Sequence, residues 1–220
     1  MKYTIEKIET KVTWEEERTV GNVETSVWIG GVDRQTEETS KPGLYLTSAE
    51  AYSSPVLCAS LVNREGQEMD RIFPLPMEEE MQFCMRVEDP QLWNAEDPYC
   101  YQLVLEIMEG ENFCQDRRVE PVAFSGWKIV DGQTRINGKA VAFRGVALPE
   151  EKKESEDIQE FLQKMKQNFQ NTLLVKTEQK SAQLQRWCLE YGIYLLEEGK
   201  DVDAGWLRAR LDMEKEEESN

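Results

Sequence analysis

From Tyr3 to about Val130, apolar residues recur with period two or in short near-continuous runs, and turn-forming residues separate the runs. VETSVWIGG (23–31), GLYLTS (43–48), SPVLCASLVNREGQEM (54–69), MQFCMRVEDP (81–90), YCYQLVLEIMEGENFCQDRRV (99–119) and FSGWKIVDG (124–132) read as strands or hairpins on this pattern. Asn63 to Gln67 and Glu109 to Asn112 read as hairpin tips, because Asn and Gly supply the positive φ that tight turns need. Strands at this spacing, with no long helical period between them, predict an antiparallel β-sandwich of about 100 residues.

After Ile136 the pattern changes. VAFRGVAL (141–148) reads as a buried strand. SEDIQEFLQKMKQNF (155–169) places Ile158, Phe161, Leu162, Met165 and Phe169 on one helical stripe, with Ser155 as its N-cap. TLLV (172–175) reads as a strand, SAQLQRWCLEYG (181–192) as a helix ending at Gly192, and IYLLEE (193–198) as another strand. The order is βαβαβ, with connections that demand parallel strands. DVDAGWLRARLDMEKEEESN (201–220) adds one short helix and a solvated acidic tail.

A net charge of −17, from 43 acidic against 26 basic residues, repels phosphate backbones and anionic surfaces, so neither nucleic acid nor a membrane is expected as a partner. The first residues, MKYTIEKIETKVTWEEE, carry charges where a secretory signal needs an apolar core, and no run reaches the length of a membrane span. The five cysteines, Cys58, Cys84, Cys100, Cys114 and Cys188, show no C-x-x-C spacing and lie mostly in apolar stretches. They read as buried free thiols of a cytoplasmic protein. Histidine is absent, which removes the commonest metal ligand and general base.

LWNAEDPYCYQLVLEI (92–107), AFSGWKIVDGQTRINGKAVAFRGV (123–146), MKQNFQNTLLV (165–175) and CLEYGIYLLEE (188–198) together resemble family 2 glycoside hydrolases, the β-galactosidase and β-glucuronidase group. In that family a jelly roll precedes an immunoglobulin-like sandwich, which precedes a TIM barrel bearing the active site. Trp93, Asp97 and Pro98 resemble the stretch near the end of the sandwich, and Phe124 to Lys128 the last sandwich strand. Asn137, Gly138, Lys139, Arg144, Gly145 and Val146 resemble the link and the first barrel strand. The resemblance implies an immunoglobulin-like antiparallel β-sandwich over 1–132, a partial, three-strand βα TIM-barrel remnant over 133–205, and an acidic tail over 206–220. A full barrel takes about 250 residues, and only residues 137–220 follow Ile136. The expectation is a truncated relative.

Retaining glycosidases need two carboxylates about 5–5.5 Å apart, and the family carries both on later strands than these. Where the family has Asn-Arg-His-Glu after its first strand, this chain has Ala147, Leu148, Pro149 and Glu150. The family's Arg-x-Ser-His-Tyr-Pro falls on Leu174, Val175, Lys176, Thr177, Glu178 and Gln179. Its Asp-Glu-x-Asn-x-Glu-x-His falls on Glu197, Glu198, Gly199, Lys200, Asp201, Val202, Asp203 and Ala204. The metal-binding Glu and His of the β-galactosidases thus correspond to Val202 and Ala204. No catalytic, cofactor-binding or metal-binding residue is expected, and no cofactor.

Glu197 and Glu198 are neighbours in a strand and point to opposite faces, so they read as a solvated strand end. Asp201 and Asp203 lack further oxygen ligands for a cation. Lys139 beside Gly138 has no glycine-rich phosphate loop around it and reads as a turn lysine. Among the six tryptophans, Trp14, Trp28 and Trp93 fall in the sandwich half, where a buried indole is commoner than a sugar-stacking one, and Trp187 reads as helix core; Trp206 is unassigned.

Three readings follow. The first is a non-catalytic structural or interaction module, either a homo-oligomer or bound to a partner chain that covers the open edge of the parallel sheet. The second is a fragment or subunit of an active β-glycosidase, and the third a carbohydrate-binding module.

Overall fold

A computed structural model describes residues 2–31, 55–110, 113–149 and 155–197. The stretch GLYLTS (43–48), Asn112 and the segment from Glu198 onward lie outside the described residues. The chain divides into two compact units. One comprises residues 1–92 and 100–126, the other residues 93–99 and 127–220. The second unit resumes at Trp127, and the short segment 93–99 belongs to it.

The first unit is an antiparallel sandwich of immunoglobulin-like type. Strands β1 (Thr4–Glu15), β2 (Val20–Gly30) and β5 (Glu80–Glu88) form a sheet in the order β1-β2-β5. Strands β3 (Val56–Val62), β4 (Glu68–Pro76), β6 (Tyr101–Glu109) and β7 (Phe113–Val122) form the other, in the order β4-β3-β6-β7. Alternation decides which side chains meet. Val23, Val27 and Ile29 on β2, Met81, Met85 and Val87 on β5, Leu57, Ala59 and Leu61 on β3, and Leu103, Leu105 and Ile107 on β6 are all buried. Each such large aliphatic side chain contributes about 1.5–3 kcal/mol of burial.

The tip at 63–67 forms as expected, closed by Asn63 N donating to Gln67 O at 2.9 Å, with Gly66 at φ 82°. Pro74 and Pro76 sit in β4 and Pro121 in β7, the two edges of their sheet, where proline is tolerated. Phe124, fully buried, bridges back to Leu92, stacks edge-on against Tyr101 at 5.2 Å and lies over Gly21, where a Cβ would collide with its ring.

Phe124 to Lys128 is not the last sandwich strand; that place belongs to β7. Strands β8 (Trp127–Val130), β9 (Gln133–Ile136) and β10 (Lys139–Ala140) form a small antiparallel meander in the second unit. Its two turns are Asp131-Gly132 and Asn137-Gly138, with φ of 52° and 74°, then 52° and 75°. Positive φ at both central residues is the signature of a type I′ hairpin, whose twist matches that of the flanking strands.

The rest of the second unit alternates strand and helix: β11 (Gly145–Ala147), α1 (Ser155–Gln167), β12 (Thr172–Val175), α2 (Ala182–Tyr191) and β13 (Tyr194–Glu197). The three strands are parallel, in the order β11-β12-β13. Leu148, Leu173 and Val175 pack with Leu162 and Met165 of α1 and with Leu184, Trp187 and Cys188 of α2.

The buried strand expected at 141–148 is shorter than its apolar run. Asn171 replaces part of the ladder: its Nδ2 donates to Ala142 O at 2.9 Å, and its Oδ1 accepts from Arg144 N at 2.8 Å. Regular pairing therefore begins only at Gly145.

The first helix stops before Phe169, which leaves the expected apolar stripe and is 77% exposed. Phe169 N donates to Lys166 O and Gln170 N to Met165 O, a Schellman closure with Phe169 in the left-handed region at φ 59°. The second helix ends in the same motif, with Gly192 at φ 70°, Gly192 N donating to Leu189 O and Ile193 N to Cys188 O. Its start is capped by Ser181 Oγ accepting from Leu184 N at 3.1 Å.

The thiols are mostly not buried. Cys84 and Cys114 are exposed, Cys58 and Cys100 half-buried, and only Cys188 is buried among the five, all of them free. Cys58, Cys84 and Cys114 occupy positions of β3, β5 and β7 that alternate away from the sandwich core.

Candidate functional site

In a parallel βα sheet the chemically competent positions are the carboxyl ends of the strands. Here several of the groups at those ends bond to one another. Leu148, just past β11, is buried in the helix-facing core, and its N–H donates to Leu174 O at 2.8 Å. Beyond β12, a short 3-10 turn at Thr177–Gln179 folds back on itself: Gln179 Oε1 accepts from Lys176 N at 2.9 Å, and Gln179 Nε2 donates to Leu148 O at 3.2 Å.

At the end of β13, Glu197 shares a face with Leu195, which packs against the helices. Its Oε2 takes Lys180 Nζ at 3.1 Å, with the two side chains 12% and 39% exposed. The carboxylate is held as half of an ion pair on the helix side of the sheet. Glu150, Glu198, Asp201, Val202, Asp203 and Ala204 lie outside the described residues.

The opposite face of the sheet carries Ala147, Leu174 and Leu196, exposed or half-buried, beside the buried Thr172 and Tyr194. Lys139 is exposed in β10, opposite Ile136. Among the described residues no group of three or more Cys, Asp or Glu side chains is placed to hold a metal ion. Among them also, no helix is long and apolar enough to cross a membrane.

The tryptophans fall differently from the expectation. Trp28 is half-buried on an outward position of β2, whereas Trp14, also half-buried, pairs with Gly21 on the inward face of β1 and lies against Gly126. Lys7 Nζ lies 4.4 Å above the Trp28 ring, a cation–π contact. Trp93 is buried, but in the second unit, and Trp187 is helix core as expected. Trp206 lies outside the described residues. Trp127, 58% exposed, shares a face of β8 with Ile129, 42% exposed. The sequence signal for that pair was its i, i+2 spacing directly before an Asp-Gly turn.

The best-built polar arrangement in the second unit surrounds residues 93–99. Trp93 Nε1 donates to Leu189 O at 2.9 Å, and Trp93 O accepts from Asn137 Nδ2 at 2.9 Å. Lys166 Nζ donates to Ala95 O at 2.7 Å and to Gly192 O at 3.0 Å. Burial lowers the pKa of Lys166, and the nearby Glu96 carboxylate partly opposes that shift. Tyr194 OH accepts from Ala95 N at 3.3 Å, and its ring meets those of Trp93 and Phe143 edge-on at 5.4 and 5.2 Å. Burial pushes the Tyr194 phenol up.

Comparison with known proteins identifies the lineage. Residues 4–124 match the model of the family described as "Glycosyl hydrolases family 2", more than half of the chain. The chain belongs to that family. A β-galactosidase of Alteromonas mediterranea is 30% identical to this family 2 chain over 120 residues, 52% of the chain and 12% of that protein. A β-galactosidase of Yersinia pestis bv. Antiqua (strain Angola) is 26% identical over 189 residues, 83% of the chain and 18% of that protein.

Among solved structures, β-glucuronidase 3 of Bacteroides uniformis shares the fold with a TM-score of 0.68 at 19% identity, covering 89% of the chain and 23% of that protein. The family 2 chain therefore spans less than a fifth of the length of the curated relatives it matches.

Proposed function

We propose that this family 2 chain is a non-catalytic structural or interaction module, built from the family's sandwich and a partial, three-strand remnant of its barrel. The observation that carries the reading is the state of the strand ends. Leu148 is buried, Gln179 is tied to Leu148, and Glu197 is paired to Lys180, so the positions where a barrel presents chemistry are spent on holding the unit together.

The partially uncovered face at Ala147, Leu174 and Leu196, with outer edges of β11 and β13 that no strand pairs among the described residues, supports a role in which a second copy or a partner chain completes the sheet. Free thiols support residence in a reducing cytoplasm. The test is absolute mass in solution by light scattering, run beside an aryl β-glycoside assay. A defined oligomer without turnover is the expected result; turnover that survives rigorous purification overturns the reading.

A second reading is favoured by the lengths: the matched β-galactosidases extend far beyond the aligned region. In it the chain is a piece or subunit of a β-glycosidase that hydrolyses O-glycosyl bonds in carbohydrate metabolism. Hydrolysis that arises only when further polypeptide is supplied distinguishes it.

A further inference from the structure

We propose that residues Trp93–Tyr99 are a clasp that closes the second unit, that they engage and release as one piece, and that Lys166 is the latch.

The segment carries hydrogen bonds of its own. Asn94 Oδ1 accepts from Glu96 N at 3.0 Å and from Asp97 N at 2.9 Å. Asp97 O accepts from Asn94 N at 3.2 Å and from Tyr99 N at 2.8 Å. An Asx turn of this kind fixes the backbone locally, so little further ordering is needed on docking.

Its outward groups reach the meander, both helices and β13. Asn137 in the meander donates to Trp93 O, Lys166 at the end of α1 donates to Ala95 O, Leu189 O at the end of α2 takes the indole N–H, and Tyr194 at the start of β13 takes Ala95 N–H. Trp93, Ala95 and Tyr99 are 5%, 1% and 4% exposed. The fit at α2 is tight: a Cβ on Gly192 would stand 2.5 Å from Ala95 O.

The last carbonyls of a helix lack intrahelical donors, and a cation near them is favoured by the helix dipole. The clasp and the latch add to the Schellman closure there, since the Trp93 indole gives Leu189 O a second donor beside Gly192 N while the Lys166 ammonium donates to Gly192 O. Losing the clasp removes a donor from the Leu189 carbonyl and bares the Tyr194 ring. The consequence falls on α2 and β13, and through their ladder on β12.

The test is site-resolved hydrogen exchange on the full chain, comparing the parent with Lys166→Met and Trp93→Phe. The first variant keeps most of the stem and removes the latch donors; the second keeps an aromatic ring and removes the indole N–H. Each is expected to speed exchange at Ala95, Leu173 and Leu195 together by about tenfold, the factor that corresponds to losing one ordinary net hydrogen bond. Amides of Leu103 and Leu105 in the sandwich keep their parent rates.

Parent rates at Leu173 and Leu195 in both variants would overturn the proposal, because the segment would then be a passenger. So would an equal rise at Leu103 and Leu105, because the opening would then be global. If Lys166→Met yields no folded protein, Trp93→Phe decides by the same criteria.

Discussion

Cys188 makes the second unit sensitive to alkali by a calculable amount. The thiol is 2% exposed inside the cluster of α1, α2 and the parallel strands. Burial pushes its pKa up from an ordinary 9.0 to about 12. A group whose folded pKa lies above its unfolded one contributes stability that is present below the unfolded value and lost as pH rises through the folded value. For Cys188 the window opens near 9 and closes near 12.

At about pH 8 almost nothing is lost; at about pH 10 the unfolded thiol is mostly ionised and the folded one is not, a difference of about 1.4 kcal/mol. The assay is urea unfolding under reducing conditions at those two pH values, followed by helical circular dichroism, because the described helices α1 and α2 both lie in this unit. The parent is expected to lose about 1.4 kcal/mol more between them than Cys188→Ala does. The variant's own cavity cost cancels in that double difference, as does the growing repulsion in a chain already at −17. Equal losses in the two proteins would refute the argument.

Phe169→Gly is expected to stabilise the chain by about 0.5–1 kcal/mol, because it relieves a left-handed backbone at φ 59° while giving up a ring that is 77% exposed. Phe169→Ala keeps the Cβ and is expected to gain almost nothing; a glycine variant less stable than the parent in a thermal melt would show that the ring contributes after all. Asn171→Ala removes the bonds to Ala142 O and Arg144 N from a side chain that is 6% exposed, and about 2–4 kcal/mol of stability is expected to go with them. A loss below about 0.5 kcal/mol in urea unfolding contradicts that role.

The elements that could be read from the chain are those whose signal is local. TLLV is β12 residue for residue, and α2 runs between its Ser181 cap and its Gly192 terminator, because stripe, cap and glycine lie within one window. Alternation revealed the sandwich for the same reason. Phe169 misled because its spacing continues the stripe of α1, whereas the chain has already turned. Run-level hydrophobicity made the cysteines look buried; phase within each strand decides their side, and phase is fixed only by pairing.

The meander was legible in principle from Asp131-Gly132 and Asn137-Gly138, two hairpin signals six residues apart, but the family resemblance drew them into neighbouring strands. The candidate site was legible only as lost motifs. That Gln179 ties to Leu148 and Lys180 to Glu197 depends on where a three-residue turn folds. Residues 93–99 offered no periodicity, and their partners lie 96, 99 and 71 positions away at Leu189, Tyr194 and Lys166.

Because the second unit takes residues 93–99 from the middle of the first unit's sequence, it is not a cassette. No single junction excises it whole: a cut at Gly126 strands Trp93 with the sandwich, and a cut before Trp93 carries β6 and β7 along. Recombination that exchanges segments between genes can therefore transplant this unit only together with β6 and β7 of the sandwich, or must carry it over without Trp93 and its bond to Leu189 O.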